Sequence, residues 1–215
     1  MRWFRTAALL AAALVVASAP AAAQDQPSSI GPFVVDFRGS FPRFNNEVQL
    51  ADSRGLDVSE LPRQGLGLDV GLHVYLPKWK FLKLGLGGQF MAARARATPS
   101  AEVSLGFRAV TERFSTVSPQ LSFNFGDGDG WSYISGGIGL SQWSLVADGD
   151  RPGPPDTERL RTINYGGGAR WFAKPHLAFT FDVRVYAIDP GSPSFGRIGS
   201  PRTTMLVMGA GVSVK

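Results

Sequence analysis

The stretch 176-HLAFTFDVRVYAI-188 decides how this chain is read. Leu177, Phe179, Phe181, Val183 and Val185 fall on one parity, and Ala178, Thr180, Asp182, Arg184 and Tyr186 on the other. A period of two over about a dozen residues is that of a β-strand, and a long one beside the usual globular length of about 5–6. One face holds only large apolar groups, whereas the other carries two opposite charges near its middle. A strand of about 9–11 residues tilted across a bilayer has this form, apolar side to lipid and polar side to a lumen.

Outward from this stretch the same pattern recurs. Before it, across the turn Lys174-Pro175, Arg159–Ala173 sets Ile163, Tyr165, Ala169 and Trp171 against Asn164, Gly166, Gly168 and Arg170. After it, Arg202–Val214 follows a long connection, Asp189–Pro201. Toward the N-terminus lie strands at Pro32–Arg43, Gln64–Leu76, Lys80–Arg94, about Phe107–Phe125 and Trp131–Leu145. Pro119 inside the fourth of these predicts a bulge. The connections alternate: long at 44–63, 95–106, 146–158 and 189–201, short at Pro77-Lys78-Trp79, Gly126–Gly130 and Lys174-Pro175. Short turns at one end and long loops at the other are the habit of an outer-membrane barrel, with both chain ends on the short-turn side. The aspartates of Gly-Asp-Gly-Asp-Gly at 126–130 are spaced as in a calcium loop, but the further ligands are missing, so a plain turn is expected. Phe33, Trp79, Phe81, Phe123, Phe125, Trp131, Tyr133, Trp171 and Phe172 gather near the short turns and predict an interfacial girdle.

The 215-residue chain begins with Arg2 and Arg5, an apolar run from Ala7 to Ala17, and small residues at Ala21-Ala22-Ala23. That order is a secretory signal peptide, and Ser18 and Pro20 leave the run too short for a membrane helix. The expected organisation is signal peptide 1–23, a short periplasmic lead 24–31 and a barrel domain 32–215. Cysteine is absent, which excludes disulfides and a lipid-modified cysteine. The formal charge of +5, lower once the signal arginines are gone, does not argue for nucleic acid. Charged residues make up 18% of the chain against about 25% in soluble domains, so something other than water covers the sheet.

Gly166-Gly167-Gly168-Ala169-Arg170-Trp171-Phe172, then Pro175-His176, then the strand ending Arg184-Val185-Tyr186, carry a family likeness. In this pattern the chain resembles the small eight-stranded outer-membrane β-barrels, the group of the OmpA transmembrane domain and the opacity-type proteins. The resemblance covers nearly all of the expected mature chain. It implies insertion by the barrel-insertion machinery, which reads a terminal aromatic residue in that family. This chain departs by ending Val212-Ser213-Val214-Lys215, and no peptidoglycan-binding domain is expected after it. The fold class expected is therefore all-β, an eight-stranded antiparallel up-and-down transmembrane barrel. A soluble lipocalin-like calyx shows the same alternation turned inside out. Its wet face would carry many Lys and Glu, whereas here the polar face is largely Gly, Ser, Thr and Asn.

Asp36, Arg38, Asp69, His73, Lys83, Arg170, Asp182 and Arg184 share the inward parity. A charge facing lipid at midplane costs about 2–4 kcal/mol, which directs them to the lumen. Paired, they would plug it; the alternative is a narrow solute pore gated by an Asp–Arg pair. A lipid A-modifying enzyme would need His, Ser and an acid together, yet only His73 and His176 exist and no serine motif marks a nucleophile. The glycine clusters lie within strands with no helix following, so they are poor phosphate loops. Arginines cluster in or beside the long connections, and guanidinium groups grip phosphate in a bidentate fork. Arg94, Arg96, Arg159 and Arg161 are accordingly the candidate contacts to lipopolysaccharide. The expected protein is a monomer in the outer membrane of a Gram-negative-type bacterium, non-enzymatic, structural or surface-interacting. It would take no cofactor, with membrane lipid and lipopolysaccharide as its partners.

Overall fold

The computed structural model describes residues 31–77, 81–98, 109–126 and 129–215. The expected signal peptide lies outside the described residues, as do nearly all of the lead and Trp79, and the 126–130 turn falls partly outside them. Strands β1 (Phe33–Arg43), β2 (Gly65–Tyr75), β3 (Leu82–Ala97), β4 (Val110–Phe125), β5 (Gly130–Ala147), β6 (Thr157–Lys174), β7 (Leu177–Ile188) and β8 (Thr203–Val214) each pair antiparallel with the next. β8 returns to β1 through pairs such as Phe37↔Val212, so the sheet closes and leaves no edge.

Side-chain direction follows the parity of the sequence. Phe179, Phe181 and Leu68 are 62%, 44% and 69% exposed, whereas Asp182 and Arg184 are buried inside. A calyx would reverse this. The outward apolar belt includes Phe37 and Phe41 on β1, Leu72 on β2, Leu121 on β4, Ile138 on β5, and Leu206 and Met208 on β8. Monomeric soluble proteins rarely expose apolar patches beyond a few hundred Å², so a belt around the whole barrel is a lipid-facing surface.

The wall is uneven in height. β3 to β6 run for 16 to 18 residues, while the other four strands have 11 or 12. Pro119 does not make the expected bulge. The β4–β5 pairing stops at Val117↔Leu140 and resumes in the same register at Gln120↔Gly137, while the β3 side keeps Gly88↔Pro119. Proline lacks a donor and interrupts the ladder on one side only, without inserting a residue. The register shift falls instead at Phe172/Lys174 in β6, beside a short turn.

The long connection 44–63 contains structure that its charges concealed. Helix α1 (Val48–Arg54) is closed by Gly55 in the left-handed region (φ 66), whose N–H reaches back to Ala51 and Asp52 carbonyls. A 3-10 turn at Val58–Glu60 follows, with the Asp57 carboxylate accepting from Ser59 N–H and Glu60 from Asp57 N–H. Leu50, Ala51 and Leu61 are buried, so this segment folds inward over the barrel mouth.

Candidate functional site

Seven of the eight inward charges of the sequence reading meet at one level of the lumen. Asp36 and Arg38 come from β1, Asp69 and His73 from β2, Arg170 from β6, and Asp182 and Arg184 from β7. Arg38 is the hub. Its Nε and Nη2 donate to Asp69 Oδ1 at 2.9 and 2.6 Å, and its Nη1 to Tyr133 Oη at 2.8 Å. Asp36 and Asp182 carboxylate oxygens each lie 3.8 Å from the same Nη1. Arg170 reaches across from β6 and grips Asp36 with both prongs, at 2.9 and 2.7 Å. Arg184 donates to Asp182 at 3.2 Å, to Ser135 at 2.6 Å and to Asn164 at 2.9 Å.

Three carboxylates thus face three guanidiniums, all with side chains no more than 6% exposed. An unpaired ion in such a place costs several kcal/mol, which is why the charges occur as a balanced set with their remaining lone pairs bonded. Asp36–Arg170 and Arg38–Tyr133 are the decisive links, because they join strands that are not sheet neighbours and so cross the lumen.

His73 is buried at the edge of this set, stacked on Tyr75, with Nδ1 4.0 Å from Asp36. Neither ring nitrogen bonds a protein group, so no serine–histidine pair forms here. Lys83 stands apart near the short-turn end, 3.4 Å from the Gly31 carbonyl and 6.0 Å from the Tyr75 ring centroid. Parity alone placed it with the others; its height on β3 separates it.

Tyr133 is the residue that charge-based reading missed. The sequence assigns it to the girdle with Trp131 and Phe172, but Trp131 and Tyr133 are buried inside and Phe172 packs against Trp131. Tyr133 Oη donates to Asp182 at 2.7 Å while accepting from Arg38, and Arg170 lies 4.1 Å from its ring centroid. Its inward parity, shared with Ser135 and Gly137, was the available signal. Gln89, bonded to Asp69, and Gln120 and Asn164, bonded to Arg184, were legible in the same way.

The ionic network occupies the middle of the lumen. Below lie Val34, Tyr75 and Trp131. Above lies an apolar layer that includes Met91, Phe114, Trp143, Leu160, Tyr186 and Met205, closed by Leu50, Ala51 and Leu61 of the folded connection. Glu112 sits within that layer and accepts from Trp143 Nε1 at 2.6 Å. Arg54, at the end of α1, fastens the cover: Nη2 donates to Glu158 at 2.6 Å and Ser200 at 2.9 Å, over the Trp143 ring.

Arg94, Arg96, Arg159 and Arg161 project outward and exposed from the tall side of the wall. They stand where the apolar belt ends: Phe90 gives way to Arg94 on β3, Val117 to Ser115 and Arg113 on β4, Leu140 to Gln142 on β5, Ile163 to Arg161 on β6. Arg94 and Arg96 lie 3.2 and 2.8 Å from Asp148, and Arg161 2.9 Å from Asp189. The Thr111 hydroxyl first, then Arg96 and Arg94, hold the Asp148 carboxyl below its ordinary range. Arg113, opposite Arg94 in the β3–β4 pairing, belongs to the same patch.

No family model matches the sequence, and no curated protein is similar to it by sequence. Among solved structures, the chain is similar to Neisserial surface protein A at 11% identity and a TM-score of 0.56, over 86% of this chain and 97% of that one. Ail, the attachment invasion locus protein of Yersinia pestis, is matched at 12% identity and a TM-score of 0.45, over 84% of this chain and 95% of that one. The likeness is one of fold: this chain has the fold of the small eight-stranded outer-membrane β-barrels.

Proposed function

We propose that this chain is a non-enzymatic integral barrel of the bacterial outer membrane whose lumen is closed to solutes and whose work is structural or surface-interacting. The observation that carries the reading is the lumen: Arg170–Asp36 and Arg38–Tyr133 bridge across it, between an aromatic floor and an apolar layer under the α1 cover. An eight-stranded barrel has an interior just wide enough for side chains, so such bridges occupy the bore. Refolded protein in a planar bilayer is expected to give no discrete openings. Openings whose size changes with Asp182→Ala would make the chain a narrow solute pore instead.

Three further parts of the reading go with this one. Met1–Ala23 is an export signal removed after translocation, and Gln24–Gly31 a short periplasmic lead; N-terminal sequencing of envelope-extracted protein should begin at Gln24. The barrel inserts through the barrel-insertion machinery and acts as a monomer. Its outer arginines contact the phosphates of lipopolysaccharide, supported by their position at the polar edge of the belt and by the bidentate habit of guanidinium. Replacing Arg94, Arg96, Arg159 and Arg161 together by Gln should weaken lipopolysaccharide binding and reduce its salt dependence; unchanged affinity would remove that contact.

A further inference from the structure

We propose that the outer wall between β2 and β6 carries one shaped site for a glycolipid whose disaccharide is phosphorylated at both ends, the membrane-embedded part of lipopolysaccharide. This site rests on the lipopolysaccharide contact proposed above, and adds to it a seat that only one kind of molecule fills. The wall is concave there. A furrow of about 580 Å³ is lined by Leu66, Leu68, Ala92, Arg94, Arg113 and Ser144, with Pro152 and Thr157 among the other lining residues. A second hollow of about 390 Å³ shares Ser115 and Gln142 with it and runs on past Phe90, Val117 and Leu140 to Arg159 and Arg161.

The strand register explains the shape. Leu68↔Ala92, Ala92↔Ser115, Ser115↔Gln142 and Gln142↔Arg159 form one row across β2 to β6, and its middle is small. The row below is Phe90, Val117 and Leu140, bulky and apolar; the row above is Arg94, Arg113 and Ser144. A dip at Ala92 and Ser115 therefore lies between Leu68 and Gln142, with Phe90, Val117 and Leu140 below it and Arg94 and Arg113 above it.

The arginines form two groups along this wall. Arg94 and Arg113 stand on β3 and β4, and Arg159 and Arg161 on β6. Two to three strand spacings separate them, about 10–15 Å. A disaccharide bearing a phosphate at each end spans a distance of that order, whereas phosphatidylglycerol offers a single phosphate. Asp148 is shared by Arg94 and Arg96, and Asp189 by Arg161 and Arg202, so each of these carboxylates faces two guanidiniums. Among the described residues, β1, β2, β7 and β8 are shorter and carry no comparable row of outward arginines.

The test counts lipids on full-length protein purified in detergent, by native mass spectrometry. The probes are lipid A with both phosphates, lipid A stripped of them, and phosphatidylglycerol. One bis-phosphorylated lipid A per barrel is expected, held roughly tenfold or more tighter than either other lipid. Ala92→Leu with Ser115→Leu fills the dip without touching an arginine. It should lower that occupancy by roughly tenfold while leaving the barrel folded by gel shift. Retained binding in the filled variant, with loss in Arg94→Gln/Arg159→Gln, would overturn the seat yet leave the general arginine contact standing. Equal binding of phosphatidylglycerol would overturn it too, in favour of an acidic glycerophospholipid. If neither variant changes binding, both the seat and the contact fail.

Discussion

At the scale of single residues, Arg38 shows how charge can be stable inside a lipid-enclosed barrel. It faces Asp36, Asp69 and Asp182 together and bonds Tyr133 as well. Arg38→Ala should destabilise the barrel by about 3–5 kcal/mol, because removing one partner of a buried ionic set leaves the others uncompensated. Urea unfolding in lipid vesicles, followed by tryptophan fluorescence, measures it. Gly168 makes the complementary point about room. A Cβ there would meet the Phe181 carbonyl and come within 2.7 Å of Tyr133 Oη, the atom that joins Arg38 to Asp182. Gly168→Ala should therefore cost about 1–3 kcal/mol by overpacking. In the same unfolding assay, a smaller penalty in a Gly168→Ala/Tyr133→Phe pair than the two single changes sum to would place the clash at that hydroxyl.

At the scale of elements, α1 is the piece whose position matters most. A helix of 7 residues is too short to hold itself together, so burial of Leu50 and Ala51 and the Arg54–Glu158 pair must hold it. Glu158 lies on β6 and Ser200 in the connection before β8, so one guanidinium ties the first long connection to two distant segments. Leu50→Asp or Glu158→Ala should release the cover, and trypsin should then cut after Arg54 and Arg63 in folded, detergent-held protein. Native protein should resist at Arg54, whose side chain is only 4% exposed. Equal cutting of both forms would mean that these contacts do not hold the cover.

At the scale of the whole molecule, the belt of outward apolar groups and the closed ladder act together. Closure satisfies the backbone groups between strands, which is what permits a sheet to sit in hydrocarbon. The refolded protein should run faster unboiled than boiled on a detergent gel, as a closed barrel resists unfolding without heat. No shift, with good solubility free of detergent, would be incompatible with the fold. Phe181, near the middle of β7 and 44% exposed, faces the lipid. Phe181→Arg should cost about 2–4 kcal/mol in a bilayer by the same unfolding measurement, the penalty for a cation at midplane.

Much of this barrel was legible in the order of its residues. Alternation in 176-HLAFTFDVRVYAI-188 and its seven repeats set strand number, pairing order and which face meets lipid, because a period of two allows a strand only two faces and lipid accepts one of them. The inward place of Asp36, Asp69, Arg170 and Asp182 followed from the same rule. Parity says nothing of height or of what lies across the bore. It could not separate Lys83 from the network or show that Arg170 reaches Asp36. Nor could it find α1 over the mouth or the dip at Ala92 and Ser115. Those depend on strand stagger around a closed barrel, where residues far apart in sequence come to one level, and only the folded chain sets that stagger.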